Sequence, residues 1–200
     1  MTPRPDRPAR LGVFISGGGR TMCNLHDATR DGRLDAEIAL VLASRDCPGV
    51  GHARERGLTT IVVPGDLTPE RLDAIVDAHA LDWIVLAGYL RLLPITGRLR
   101  GRVVNIHPAL LPAHGGPGMH GRRVHEAVLR AGETVSGCSV HLCDDRYDTG
   151  PVLAQATCPV HADDTPETLA ARVFGLECEL YPRTLERLIS GELPVCGGDG

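Results

Sequence analysis

Short apolar runs and helical patterns alternate along the first half of the chain. The apolar runs lie at residues 11–15, 37–43, 59–63, 82–87 and 102–106, and the helical patterns between them lie at 21–29, 48–56 and 68–80. Short, mostly apolar runs that are separated by helices are typical of a parallel sheet buried on both faces. The pattern therefore predicts an α/β, Rossmann-like fold, with a mostly parallel twisted sheet and helices on both faces.

The second half of the chain departs from this alternation. Residues 136–142 alternate between apolar and polar side chains, and a second strand pattern follows at 152–160 after a tight connection. Such a connection predicts an antiparallel pair. Helices are predicted on either side of this pair, at 121–130 and at 165–189, and Thr165 is expected to cap the second of them.

These patterns contain no repeat, no low-complexity block and no linker. We therefore expect a single domain over residues 1–200. Residues 1–10, which precede the first apolar run, and residues 196–200 are expected to be flexible.

The amino-acid composition excludes several classes of function. Lys and Arg number 21 against 25 Asp and Glu, which gives a net charge of −4, and aromatic residues make up 3% of the chain. This balance disfavours binding to nucleic acid, which needs basic surfaces or stacking platforms. The chain contains no lysine, so chemistry that needs one, such as a Schiff base or a P-loop, is excluded.

The cysteine pattern and the hydropathy of the chain indicate the cellular compartment in which the protein is expected. The seven cysteines are odd in number, and no CxxC pair occurs among them. They do not resemble a disulfide framework or a zinc ribbon, and they favour buried thiols in a reducing cytoplasm. No segment approaches the ~18 apolar residues that span a bilayer. We expect a cytoplasmic protein without a membrane or nucleic-acid partner, as a monomer or homodimer.

A glycine-rich segment follows the first predicted strand. Ser16-Gly-Gly-Gly-Arg-Thr21 leads directly into the first predicted helix. Backbone N–H groups at such a helix start can hold an anion. The spacing fits neither the dinucleotide fingerprint nor a P-loop. A cradle for a mononucleotide or sugar phosphate and a plain tight turn both remain open.

Asn105 and His107 lie at the end of the fifth predicted strand, where ligands of open α/β sheets bind. Because they are two residues apart on an extended chain, their side chains share a face. An amide donor beside an imidazole suits a developing oxyanion, and the imidazole can also move a proton. The alternative is a structural strand end. One of the carboxylates in the segment 144–150 is a candidate partner for His107, although an Asp-rich connection with glycine is also an ordinary turn.

Four further histidines suggest a metal site. His114, His120, His125 and His141 follow no established metal-ligand spacing. We therefore predict no metal and interpret them as exposed loop histidines.

Several of these segments together resemble a known family. They are Asn105-Ile-His-Pro-Ala-Leu-Leu-Pro112, the loop after residue 15, Leu86-Ala-Gly-Tyr-Leu-Arg-Leu-Leu93, Ser136-Gly-Cys-Ser-Val-His141 and Tyr147-Asp-Thr-Gly-Pro-Val-Leu-Ala-Gln155. In this order they resemble the folate-dependent formyltransferases over about residues 11–190. The resemblance is strongest to the branch that formylates glycinamide ribonucleotide in purine biosynthesis.

The resemblance implies a role for each matching residue. Asn105, His107 and Asp148 match the catalytic trio. The residues implied to bind the ribonucleotide and its phosphate are Ser16, Gly17, Gly18, Gly19, Arg20, Thr21 and Glu177, with Arg71 as a further phosphate contact of uncertain register. The residues implied to bind the folate are Tyr89, Leu90, Arg91, Leu92, Leu93, Leu142, Cys143 and Asp144.

The implied reaction is the transfer of a formyl group from 10-formyltetrahydrofolate, as co-substrate, to the amine of glycinamide ribonucleotide. Protonated His107, held so by Asp148, and Asn105 are expected to stabilise the oxyanion. Related activities are the formylation of methionyl-tRNA, the hydrolysis of formyltetrahydrofolate and the formylation of sugar nucleotides. The first two are expected to need an extra domain, so a sugar-nucleotide substrate is the open alternative within the family. Outside it, a non-catalytic module that binds folate or a phosphate remains open.

Overall fold

The computed structural model describes residues 7–193. This part of the chain contains seven strands and five α-helices. They are β1 (Ala9–Ile15), α1 (Arg20–Arg30), β2 (Ala36–Ala43), α2 (Pro48–Glu55), β3 (Thr60–Val62), α3 (Pro69–Ala78), β4 (Trp83–Leu86), β5 (Val103–His107), α4 (Arg122–Arg130), β6 (Val135–Leu142), β7 (Val152–Pro159) and α5 (Pro166–Ile189).

All seven strands form one sheet in the order β3-β2-β1-β4-β5-β6-β7. The first five are parallel, while β6 is antiparallel to both of its neighbours. The predicted fold class is thus confirmed. The strand order reverses between β1 and β4, and an open α/β sheet binds its ligands in the crevice at such a point, beyond the carboxyl ends of the strands.

Both faces of the sheet are buried, because neighbouring residues of the central strands enter different cores. In β1, Val13 and Ile15 join a core that includes side chains of α1, α2, α4 and α5, whereas Phe14 joins a second core under α3. Leu72 and Val76 of α3 pack into that second core. This alternation is the pleat of a strand that has no solvent face, and it explains why these strands read as unbroken apolar runs.

The start of the sheet differs from the prediction. β1 begins at Ala9, so residues 9 and 10, which we expected in a flexible leader, pair with β2. Arg10 makes this possible, because its backbone N–H donates to Asp82 and its guanidinium pairs with Glu37. Residues 1–6 and 196–200 of the expected flexible ends lie outside the described residues. None of the helices over 7–193 has the length and hydropathy needed to cross a membrane.

Candidate active site

A cavity of about 550 Å³ opens at the carboxyl edge of the sheet. Its walls come from the start of α1, the segment after β4, the end of β5, the segment 116–122, the connection between β6 and β7, and α5. It therefore coincides with the crevice that the strand order predicts.

The floor of the cavity is formed by β5 and β6. Asn105 and His107 both line it, as their spacing predicts, and Asn105 lies directly opposite His141 on the neighbouring strand. His107 and His141 are buried, with 3% and 1% of their surface exposed. Two imidazoles and one amide are thus held side by side on the sheet, where neighbouring backbone pairs fix their positions.

Asp148 is the carboxylate of the segment 144–150 that reaches this floor. Its Oδ2 lies 3.5 Å from His107 Nδ1, and its Oδ1 lies 3.5 Å from His141 Nε2 and 3.4 Å from Asn105 Nδ2. The backbone N–H of Gly116 donates to Oδ2 at 3.0 Å. Asp148 has a φ of 57°, a left-handed conformation that Asp and Asn tolerate better than other side chains. The turn therefore points this one carboxylate inward.

Hydrogen bonds around His141 orient the Asn105 amide. His141 Nδ1 lies 2.9 Å from the carbonyl oxygen of Leu142, which only accepts, so Nδ1 carries the proton in the neutral ring. The bare Nε2 then accepts a hydrogen bond from Asn105 Nδ2 at 3.0 Å. This bond keeps the amide NH₂ on the cavity floor beside Asp148. Sequence reasoning gave His141 no role here, although its place opposite Asn105 follows once β5 and β6 are paired.

His107 is bonded at one nitrogen and faces Asp148 with the other. Its Nε2 donates to the carbonyl oxygen of His114 at 2.8 Å. Burial lowers the pKa of His107, and the opposing effect of the Asp148 carboxylate does not restore it. Desolvation thus outweighs the neighbouring charge in the ligand-free protein, and the expectation that Asp148 holds His107 protonated stays a prediction for the reaction itself.

The pKa of Asp148 itself lies below its usual value. Burial would raise it, but the proximity of His141 and His107 and the hydrogen bond from the Gly116 backbone lower it on balance. The floor therefore combines an ionised carboxylate with a neutral imidazole, and it is poised to accept one proton.

The glycine-rich segment after β1 is tied to the rest of the fold. Ser16 is buried, its hydroxyl lies 2.6 Å from that of Ser44, and it accepts a hydrogen bond from the backbone N–H of Leu90. Gly19 is left-handed at φ 73°, and a Cβ there would lie 2.8 Å from Gly49 Cα, so glycine is required. Residues 16–19 do not line the cavity, whereas Arg20 and Thr21 do.

Arg20 and Glu177 meet at this end of the cavity. The guanidinium of Arg20 lies over the ring of Phe174, with Cζ 3.8 Å from the ring centre. Glu177 follows one turn later on α5 and lines the same wall. Burial raises the pKa of Glu177 to about 7, against the opposing effect of Arg20. Phe174 was not predicted from the sequence. Arg71, a predicted phosphate contact, is exposed on α3 and does not line the cavity.

Another part of the cavity wall is largely apolar. Among the residues implied to bind folate, those that line it are Tyr89, Leu90, Arg91, Leu92, Leu93, Cys143 and Asp144. Leu142 is buried beneath them and does not reach the cavity. Leu90 and Leu92 are 38% and 43% exposed, so this wall offers apolar surface to a flat ligand.

The interpretation of four histidines as exposed loop residues is wrong for two of them. His125 lies on α4 and His141 on β6, an inner strand of the sheet, and both side chains are buried. His114 is half-buried and His120 is exposed. Among residues 7–193, no group of three or more His, Cys, Asp or Glu side chains could hold a metal ion.

Fold and site together define a class of protein. A doubly wound sheet presents an amide, an imidazole and a carboxylate on the floor of a cavity that Arg20 and the largely apolar segment 89–93 also line. The model of one family, described as formyl transferase, matches residues 9–185. The chain belongs to this formyl transferase family.

Individual relatives agree with this assignment. The chain is 40% identical over 185 residues to the chloroplastic phosphoribosylglycinamide formyltransferase of Arabidopsis thaliana, covering 88% of this chain and 63% of that protein. It thus spans about three fifths of the length of that relative. The solved phosphoribosylglycinamide formyltransferase of Brucella melitensis is 40% identical, with a TM-score of 0.78 and coverage of 93% of this chain and 97% of the other. The Coxiella burnetii enzyme is 36% identical, with a TM-score of 0.83 and coverage of 92% and 89%.

Proposed function

We propose that this chain transfers the formyl group of 10-formyltetrahydrofolate to the amine of glycinamide ribonucleotide, a step of purine biosynthesis. The observation that carries the proposal is the cluster of Asn105, His107 and Asp148 on the cavity floor, between a cationic end and an apolar end. Relatives with this printed activity support the choice of substrates. We assign the activity to one domain within residues 1–200 and need no metal for it.

Asn105 stabilises the charge that develops on the formyl oxygen. When the amine attacks the formyl carbon, that oxygen becomes an oxyanion in a tetrahedral intermediate. Asn105 Nδ2 already donates to His141 Nε2, and its second N–H is free to turn from Asp148 to the oxyanion. A donor that is aimed before the reaction begins costs no reorganisation, and such donors are worth about 10²–10³ in rate each.

His107 and Asp148 manage the proton. The attacking amine must lose one proton and the folate nitrogen that leaves must gain one. The neutral His107 has its bare Nδ1 toward Asp148, so it can take the proton while the oxyanion forms. The imidazolium then faces both the ionised Asp148 and the new oxyanion, which together offset the cost of a buried charge. The same proton is afterwards passed to the leaving nitrogen, directly or through water.

The two ends of the cavity take the two substrates. The start of α1 with Arg20 and Thr21 binds the ribonucleotide phosphate, and Glu177 accepts from the ribose or glycinamide. The apolar wall of residues 89–93, with Cys143 and Asp144, holds the pterin of the folate. Donor and acceptor then meet above Asn105. Ser16, Gly17, Gly18 and Gly19 support this arrangement by shaping the start of α1.

A formyl-transfer assay tests the proposal. The protein is mixed with 10-formyltetrahydrofolate and glycinamide ribonucleotide, and both the folate absorbance and the formylated product are measured. We expect product that depends on both substrates. Loss of the formyl group without the ribonucleotide would instead identify a hydrolase. Bound folate that keeps its formyl group would identify a binding module or an enzyme for another amine, such as an amino sugar nucleotide.

We place this activity in the cytoplasm. The cysteines among residues 7–193 are all free, as suits a reducing compartment. Every side chain assigned above comes from one chain, so either a monomer or a homodimer is compatible with the mechanism.

A further inference from the structure

Arg20 differs from two other arginines that line the cavity, Arg91 and Arg122. Arg91 is paired with Asp66, and Arg122 is paired with Glu126 and Glu167. Within residues 7–193, no carboxylate or carbonyl oxygen accepts a hydrogen bond from the guanidinium of Arg20, and its described contact is the face of Phe174 at 3.8 Å. This cation is held in place by a ring instead of an anion.

The stacking leaves the hydrogen-bonding edge of Arg20 free. A guanidinium donates through N–H groups that lie in its plane, while a ring covers only its face. Phe174 therefore fixes the plane of Arg20 without using any of its donors. Those in-plane donors match two oxygens of a phosphate in a bidentate arrangement.

The surroundings of Arg20 also suit an anion. It is the first residue of α1, whose N-cap is Gly19, with no side chain that caps the helix and no acidic residue in its first turn. The carboxylate of Glu177, which interacts electrostatically with Arg20, lies on the same helix as Phe174 and makes no hydrogen bond to Arg20 within the described chain. Stacking on the ring thus keeps the cation available where a direct ion pair with Glu177 would have neutralised it.

We propose that Phe174 is a positioning residue that holds Arg20 flat for bidentate contact with a phosphate, and that this pair makes the site selective for a phosphorylated amine. The inference rests on the proposed function, since it concerns the part of the cavity where the formyl acceptor would bind. This part, with Arg20, Phe174 and Glu177, is called the acceptor end. It assigns the selectivity for phosphate to contact between α1 and α5, beyond the glycine-rich loop itself.

A double-mutant cycle tests this pairing. The variants are Phe174→Leu, Arg20→Gln and the two combined, with Phe174→Tyr as the matched control that keeps an aromatic face. The primary readout is the Kd of ribose 5-phosphate, measured by calorimetry on the full chain. KM for glycinamide ribonucleotide and for 10-formyltetrahydrofolate is measured alongside, and the melting temperature of each variant reports on folding.

We expect Phe174→Leu to weaken ribose 5-phosphate about three- to tenfold, the size of a partly exposed cation–π contact. Phe174→Tyr should stay close to the native protein. In the Arg20→Gln background, Phe174→Leu should have little further effect, because the ring then has no cation to hold. KM for the ribonucleotide should follow the same order, with KM for the folate within about twofold of native.

Two results would overturn the inference. One is a Phe174→Leu effect of the same size with and without Arg20, which would show that the ring packs against the ribose or the fold. The other is native protein that does not bind ribose 5-phosphate. If the variants follow the expected cycle but the protein transfers no formyl group, the pairing of Phe174 with Arg20 for phosphate binding would stand. Only the proposed function would then be refuted.

Discussion

The two polar regions of the cavity are built in opposite ways. On the floor, Asn105, His107, His141 and Asp148 satisfy one another, and each is fixed by a backbone or side-chain partner before any ligand arrives. At the acceptor end, the guanidinium of Arg20 makes no hydrogen bond to a carboxylate of residues 7–193. Glu177 there is half-buried and has a raised pKa. The floor is prepared for a charge that exists only during the reaction. The acceptor end is prepared for a charge that the substrate brings.

This difference separates rate from affinity. A group that is already oriented when the substrate binds acts mainly on kcat, because it meets its partner charge only in the transition state. A group that waits for a substrate anion acts mainly on KM. Changes on the floor and at the acceptor end should therefore fall into two kinetic classes, and the predictions below test that division.

The largest effect is expected from Asn105→Ala. Loss of its amide removes a donor to the oxyanion, so kcat should fall about 10²–10³-fold while KM for either substrate changes little. His107→Ala should lose a comparable factor through the proton step. Asn24→Ala is the matched control, because Asn24 donates its amide to the carbonyl of Cys178 and neither residue lines the cavity. Steady-state kinetics on proteins of comparable melting temperature make the comparison. Normal turnover in Asn105→Ala would remove the oxyanion assignment.

Asp148→Asn should lower kcat about 10²-fold by leaving the imidazolium of the intermediate without its counter-charge. Asn keeps the left-handed turn at this position, so the loop should stay in place. The Asp148 carboxylate raises the pKa of His107 against the larger effect of burial. Its removal should therefore lower the pKa of His107 further, and the acidic limb of the kcat profile should move to lower pH. If the acidic limb of the kcat profile does not move in Asp148→Asn, a group other than His107 is responsible for that limb.

The sequence predicted the sheet well because its central strands are buried on both faces, and a short run of Val, Ile and Leu between helices is typical of such strands. The edges were harder to predict. β1 reaches back to Ala9 because Arg10 finds Asp82 and Glu37 on neighbouring elements, and no local pattern reveals such partners.

The site was predicted in part, for a similar reason. Asn105 and His107 share a face by their spacing, so local reasoning could pair them. The choice of Asp148 among its neighbours depends on one left-handed turn, and residue-by-residue reasoning left it open until a family resemblance named it. His125 and His141 became buried through the packing of α4 and β6, and the contact of Arg20 with Phe174 joins helices at opposite ends of the chain. Tertiary structure alone creates these relations.

A smaller effect on kcat is expected at His141, which orients Asn105 without touching the reacting atoms. His141→Leu removes the acceptor of the Asn105 amide, so the amide can turn away, and kcat should fall about tenfold or more. His141→Gln offers an amide oxygen as a replacement acceptor and should recover part of that loss. Kinetics with both substrates distinguish this from a packing defect, which would leave Gln no better than Leu.

The smallest effect tests the acceptor end through stability. The pKa of Glu177 is raised to about 7 by burial, whereas its ordinary value is about 4.3. Between these values the folded protein keeps a proton that the unfolded chain has released, so this group lowers stability progressively as pH rises through that window. Glu177→Gln removes the penalty. The variant should be more stable than the native protein at pH 8, by ~1–2 kcal/mol after allowing for its partial exposure, and equal to it near pH 4.

Denaturant unfolding at both pH values measures this difference. Glu179→Gln, on the exposed side of the same helix, is the matched control and should leave the pH dependence of the native protein in place. Saturating ribose 5-phosphate adds a second arm, because a bound dianion beside Glu177 makes its ionised form still less favourable. The stability gap between Glu177→Gln and native protein at pH 8 should then widen. A gap that is the same at both pH values would show that Glu177 is not the buried carboxyl that titrates in this window, and the acceptor end would then differ from the floor less than its geometry indicates.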